Sequence, residues 1–317
     1  MENRAFSKLL EQLKNLTPSQ KEIISIQLHE ENSLEVVQES IDKVESCPHC
    51  QSQSFHKWGT RANIQRYRCK ECHKTFNALT GTPLARLRYK EQWRQFAQDL
   101  IDGVSIRESA KHCEVNKNTT LKWRHRMLNN AKQSNKSLNG IVEFDETYFL
   151  DSHKGERHLD REARHRGGSA TQRGISSEQI AILVARDRSG HTVDAILFKS
   201  NKDTLAQILL PKVDKDSLLC SDSKPSYKAF AKKYHRVLKT INSKAKEYVK
   251  EHIYHIQNVN AYDSRLKAWM KHFNGVSTKY LETYLGWMRL LDSNKSITPE
   301  QLLAIMAKRN MVCQPLN

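Results

Sequence analysis

The chain has 317 residues and carries 52 lysines and arginines against 35 aspartates and glutamates, a formal net charge of +17 that points to a polyanionic partner, nucleic acid first and an anionic membrane surface second. No apolar run approaches the roughly 18 residues of a membrane span, and the opening residues Met1 to Ser7 lack the basic and apolar regions of a secretion signal, so a cytosolic protein without a membrane partner is expected. Seven cysteines in a chain of this length exclude a disulfide framework, and the C-x-x-C pairs among them suggest metal.

Residues 1–45 read as a helical region. Leu9, Leu10, Leu13 and Leu16 share a helical face, and Thr17-Pro18 starts a second helix carrying Ile23, Ile24 and Leu28. An acidic stretch from Glu30 to Glu45 follows, a solvated face or linker. Residues 46–80 hold the least ambiguous local motif. Cys47, Cys50, Cys69 and Cys72 give C-x2-C-x18-C-x2-C, the spacing of a four-thiolate structural zinc site. Phe55, Trp58, Tyr67 and Phe76 supply strand-forming aromatics, so this segment is expected to be a zinc ribbon whose metal replaces a core that so few residues cannot build. Arg61, Arg66, Arg68, Lys70 and Lys74 make it basic, which suits DNA contact and an ordinary solvated surface equally.

Residues 84–130 carry a three-helix pattern. Trp93, Phe96, Ala97 and Leu100 mark one face of the first helix, Ser105-Ile106-Arg107-Glu108 is a capping box opening the second, and the third runs from Thr119 to Leu128. A short helix, a tight turn and a basic helix with Thr119, Thr120, Lys122, Arg124 and Arg126 resemble a helix-turn-helix whose last helix contacts DNA; the bland reading is a plain three-helix bundle.

After a polar linker at 129–140, Ile141 to Phe149 reads as a buried strand carrying Asp145 and Glu146 to an edge of the fold. Between His153 and Gly174 lies a loop with Lys154, Arg157, Arg161, Arg164, Arg166 and Arg173 and almost no apolar residues, expected to stay mobile until it meets phosphate. Two strands, Ile180–Arg186 and Thr192–Phe198, form a hairpin; a helix from Asp203, a strand ending at Asp222, a helix from Pro225 and a short strand around 237–241 complete an order β-β-β-α-β-α. That order matches a ribonuclease-H-like domain, expected over 139–292 as a mixed β-sheet with flanking helices, followed by a helical tail at 293–317. Asp145 and Asp222 are hard oxygen ligands on two apolar strands, the donors a divalent-metal site needs; each alone reads as a strand-end or helix-capping aspartate. A long helix from Asn258 has the apolar stripe Val259, Tyr262, Leu266, Met270 and Phe273. If its second face, with Asn260, Ser264 and Lys267, borders the carboxylates, Asn260 supplies a third oxygen and Lys267 a phosphate contact, with Asp263 in reserve.

The cysteine motif, F-D-E-T-Y-F at 144–149, the Gly- and Arg-rich segment running into I-A-I-L-V-A-R-D-R-S-G, S-D-S-K-P-S-Y at 221–227 and H-I-Q-N-V-N-A-Y-D-S-R-L-K at 255–267 together resemble the zinc-ribbon insertion-sequence transposases of bacteria, relatives of the Merlin transposons. The resemblance covers about residues 45–292. It implies a catalytic triad whose first two members fall on Asp145 and Asp222 and whose third, glutamate in many members, is Asn260 here. It also implies Mg2+ or Mn2+ at Asp145, Asp222 and Asn260, terminal inverted repeats and target DNA as substrates, Lys267 and the loop arginines Arg164, Arg166 and Arg173 on phosphates, a homodimer or higher oligomer on DNA, and a nucleoid-associated location. A DNA-binding regulator that has lost catalysis is the rival expectation, and Asn260 is the residue in its favour.

Overall fold

The computed structural model describes residues 3–21, 23–24, 44–61, 64–132, 137–159, 161–162, 167–168, 170–171, 176–242 and 245–308. Leu28, most of the acidic stretch from Glu30, and Arg164, Arg166 and Arg173 lie outside the described residues. The chain divides into two compact units, one formed by Met1–Asp102, Ile106–Met127 and Thr298–Asn317, the other by Gly103–Ser105 and Leu128–Ile297.

In the first unit, helix α1 (Asn3–Lys14) is followed by the antiparallel strands β1 (Phe55–Arg61), β2 (Ile64–Cys69) and β3 (Thr75–Asn77), ordered β1-β2-β3. Strands this short bury little: Phe55, Tyr67 and Phe76 meet edge-on or stacked at 5.4–5.7 Å beside the buried Cys47 and Cys69. Helices α2 (Trp93–Ile101), α3 (Ile106–His112) and α4 (Lys117–Met127) follow. Their spacing of apolar residues closes a small core in which Phe96 meets Trp123 at 5.3 Å and Trp93, Leu100 and Met127 are buried. Helix α9 (Pro299–Ala307) packs on α2, started by a capping box from Thr298 and Gln301 and tied by Arg94 to Glu300 at 2.7 Å. Among the described residues, α9 falls in the same unit as α2 and α4.

In the second unit, five strands form a sheet ordered β6-β5-β4-β7-β8: β4 (Ile141–Leu150), β5 (Gln179–Asp187), β6 (Thr192–Leu197), β7 (Leu218–Asp222) and β8 (Leu238–Ile241). The first three are antiparallel neighbours, whereas β7 and β8 run parallel to β4, so both sheet faces need helices. On one face Val142, Phe144, Leu183, Ala185 and Leu219 form a core with Leu205 and Leu209 of α5 (Lys202–Leu209) and Tyr227 and Phe230 of α6 (Pro225–Lys233). The other face is covered by α7 (Gln257–Lys271) and α8 (Leu281–Ser293), with Val259, Tyr262 and Leu266 buried. Gly286 allows the turn at Leu128–Lys132 to lie on α8, since a Cβ there would meet the Ala131 carbonyl oxygen at 2.3 Å. The expected buried strand β4 is the central strand of the sheet, and Asp145 is its fifth residue of ten. Burial on both faces and pairing on both sides account for that position.

Candidate metal and DNA-binding sites

The sulfurs of Cys47, Cys50, Cys69 and Cys72 all lie within 4.8 Å of one another, with 3.6 Å between Cys47 and Cys72 and 3.5 Å between Cys50 and Cys69. Tetrahedral thiolate zinc, with bonds of about 2.3 Å, sets its sulfurs about 3.8 Å apart, so the cluster fits the ion. Backbone N–H groups of His49 and Cys72 point at the sulfurs of Cys47 and Cys69, and the latter contact leads in lowering the Cys69 thiol to about 6. His49 and His73 are exposed and stand outside the cluster.

The second site is set by register. Strands β4 and β7 pair from Ile141/Leu218 to Glu143/Cys220, and Asp145 and Asp222 each follow two residues beyond the last pair, at equivalent positions of the two strands. The ladder between them has stopped there while β4 continues to pair with β5, so the carboxylates sit where parallel strands diverge. Such carboxyl-end crevices are where open α/β sheets bind ligands. Backbone donors orient both groups: Glu146 N–H reaches Asp145 Oδ1 at 2.8 Å and Lys224 N–H reaches Asp222 Oδ1 at 3.1 Å. Burial pushes the Asp145 carboxyl up to about 6, and the charges of Asp222 and Glu146 add to this against the opposing pull of the Glu146 N–H and of Lys224.

Two flanking glutamates have structural partners. Burial works against the Glu146 charge, but hydrogen bonds from Lys224 Nζ at 2.6 Å, Ser200 Oγ at 2.6 Å and Tyr148 Oη at 2.5 Å hold its carboxyl below the usual range. Glu143, on the Asp145 face and fully buried, receives Asn258 N–H and Nδ2 at 2.8 Å, Val259 N–H at 3.1 Å and the Arg188 guanidinium at 2.8 Å. A strand carboxylate thus satisfies the free amides at the start of α7 and fixes that helix over the sheet. Sequence reasoning missed this role; an acidic residue at an apolar strand position, two before Asp145, was the available signal.

Along α7, Asn260, Ser264 and Lys267 are exposed, whereas Asp263 is 8% exposed with its Oδ1 unpartnered. Burial and the Asp145 charge push Asp263 up to about 7, with Lys267 opposing. Asp263 therefore lies on the buried margin of α7 and Asn260 on its exposed face.

Of the residues expected to touch DNA, Lys122 is exposed and Thr119 half-buried. Thr120 and Arg124 are completely buried, and Arg126 donates to the Ala85 carbonyl at 2.6 Å. Thr120 donates to backbone carbonyls of Ile106 and Lys117. A basic helix of low amphipathicity does not reveal in sequence which of its cations face inward; here Thr120 and Arg124 present no surface to a phosphate. In the basic loop, Lys154 donates to the carbonyls of Phe273, Asn274 and Gly275 at 3.1, 3.1 and 2.7 Å, closing the C-terminal end of α7 instead of standing free. On the ribbon, exposed Trp58 lies under the Arg68 guanidinium at 4.7 Å, an aromatic and cationic surface on β1 that the spacing of cysteines did not announce.

Residues 137–289 match the family model of the ISXO2-like transposase domain. An uncharacterized protein in the transposable element ISH50 of Halobacterium salinarum is 28% identical over 254 residues, 77% of this chain and 84% of that protein. Protein InsA of the insertion element iso-IS1N of Shigella dysenteriae is 33% identical over 90 residues, 28% of this chain and 91% of InsA. Among solved structures, a pre-cleavage Mos1 transpososome aligns over 70% of this chain and 79% of its own at 13% identity and a TM-score of 0.23, at which a likeness decides nothing about the fold. The chain belongs to the insertion-sequence transposases, and its second unit carries the matched domain. Among the described residues no helix is long and apolar enough to cross a membrane.

Proposed function

We propose that this protein binds the ends of its insertion sequence and catalyses metal-dependent DNA strand cleavage and strand transfer. The observation that carries this is the juxtaposition of Asp145 and Asp222 where β4 and β7 part. The strand order, three antiparallel strands followed by two parallel ones with helices on both faces, supports a ribonuclease-H-like catalytic domain. Asp145 and Asp222 would hold Mg2+ or Mn2+, with a third oxygen from α7, which carries Asn260 at the place the resemblance picks out and Asp263 nearly one turn on. Bound there, two ions would polarise the scissile phosphate and lower the pKa of the attacking hydroxyl.

The protein's own part is positioning. Half-burial on the central strand holds Asp145 in place, Lys224 keeps Glu146 occupied so that it does not compete for the cation, and exposed Lys267 stands on the open side of α7 for a phosphate oxygen. Four thiolates with the spacing of tetrahedral zinc support Zn2+ in the ribbon, which with Lys122 and Thr119 of α4 would read the terminal inverted repeats; Arg164, Arg166 and Arg173 remain proposed phosphate contacts. Joining two ends calls for at least a dimer on DNA.

The test uses full-length protein and labelled duplexes carrying the element's ends, in Mg2+ and in Mn2+. Cleaved and joined products that vanish in Asp145→Ala and Asp222→Ala support the reading. End binding without either product, in both metals, returns the regulator, for which asparagine at 260 is the favouring observation.

A further inference from the structure

We propose that the outer face of the ribbon sheet, centred on Trp58, captures unpaired nucleotides of the DNA by stacking. This deepens the proposed DNA binding and does not depend on the catalytic centre. Register sorts the ribbon's side chains into two faces. Phe55 pairs with Cys69 and Tyr67 with Phe76, on the face that holds the aromatic core and the cysteines. His56 pairs with Arg68, Arg68 with Thr75 and Arg66 with Asn77, so His56, Arg66 and Arg68 share the opposite face. Trp58 joins them there: its ring meets that of His56 at 5.5 Å and lies 4.7 Å from the Arg68 guanidinium. A bulge between Lys57 and Thr60, with Gly59 at a φ of 70°, interrupts regular pairing beside Trp58 on a strand that is already the edge of the sheet.

Charge says what covers this face. Trp58 is 44% exposed, and between residues 46 and 80 stand six lysines and arginines against one acid, Glu71. The ribbon stays positive even with the residual negative charge of four thiolates around Zn2+. Arg66 donates to Thr75 Oγ1 at 3.2 Å and Arg68 to the His73 carbonyl at 3.4 Å, neutral acceptors that leave both charges to an anion. Aromatic rings among uncancelled cations are what a single strand binds: phosphates take the cations, and each base lays its face on a ring. A duplex fits this face worse. Its bases cover one another and show only their edges, and three strands about 4.8 Å apart are broader than the two-stranded ribbon that a major groove of about 12 Å admits. The Arg68 guanidinium against the indole sets the ring's orientation in advance, which lowers the entropy cost of stacking.

The experiment measures binding of full-length, zinc-loaded protein to labelled DNA by fluorescence anisotropy. The probes are a thymidine oligonucleotide of about 15 nucleotides, a strand of equal length and charge whose nucleotides are abasic, and the element's end duplex. Wild type, Trp58→Ala and Trp58→Phe are compared, each checked for zinc by native mass spectrometry. Trp58 stands outside the aromatic core, so both variants are expected to keep the metal. The expected result is binding of the thymidine strand by wild type about fivefold or more tighter than of the abasic strand. Trp58→Ala should lose that preference with an unchanged salt slope, and Trp58→Phe should retain most of it. Equal affinity of wild type for the two strands, or a preference that survives in Trp58→Ala, overturns the inference and leaves end-duplex binding standing. Wild type that binds neither strand nor duplex removes DNA binding itself, and this inference with it.

Discussion

Replacing Glu143 tests how the fold holds the candidate site. Its carboxylate is fully buried and accepts from two α7 backbone amides, from the Asn258 side chain and from Arg188. Glu143→Ala leaves both amides without an acceptor, at about 1–3 kcal/mol each, and frees a guanidinium that is 30% exposed and so recovers part of its solvation from water. The expected cost is about 3–5 kcal/mol. Glu143→Gln keeps the shape and one acceptor oxygen while losing the charge, and is expected to cost about half as much. Because the chain has two units, a single melting temperature does not report on α7. Amide hydrogen exchange of residues 257–263 under native conditions does, together with Mn2+ affinity. Faster exchange confined to the start of α7, with weaker Mn2+ binding, is the expected pattern; unchanged exchange there in Glu143→Ala would falsify the anchoring role.

Further outcomes follow from other parts of the structure. Native mass spectrometry should find one zinc per chain, and Cys69→Ser should release it and unfold the ribbon, whose core is a few aromatics against the cysteines, while leaving the exchange protection of β4 and β5 unchanged. Lys122→Ala should weaken end binding and lower the salt dependence by about one counterion; Arg124→Ala, completely buried, should destabilise the first unit instead. Metal-free protein should lose stability as pH rises from about 4 to 7. Asp145 and Asp263 have folded-state values raised to about 6 and about 7 against ordinary aspartate, so the folded chain holds more protons than the unfolded one across that window. Each contributes a few kcal/mol at most, and Asp263→Asn should flatten the profile in a chemical-denaturation series; a profile unchanged by the substitution would contradict the burial argument.

Much of the architecture could be read from the residues. The cysteine spacing located the ribbon, and alternation of apolar residues placed β4, β5, β6 and β7 within a residue or two of their observed bounds. What escaped depended on partners distant in sequence. Periodicity marks the apolar stripe of α7 but not what faces its margin, so the burial of Asp263 and the exposure of Asn260, about 60° apart, could be read only from the fold. Arg124 and Thr120 looked like surface cations and hydroxyls because nothing local distinguishes a buried arginine from an exposed one. The return of α9 to α2 also needed the fold, since it is specified by Arg94 and Glu300 across the inserted second unit. Glu143 was hidden in plain view among strand formers, its value set by four donors from other elements.

The central claim is that Asp145 and Asp222 form a working phosphoryl-transfer centre. A strand-transfer assay with the element's labelled ends and a target plasmid, in Mn2+ and Mg2+, measures it most directly. Joined products from the wild type, and none from Asp145→Ala or Asp222→Ala proteins that still bind the ends, are the expected result. Joining that persists in either variant would contradict the account.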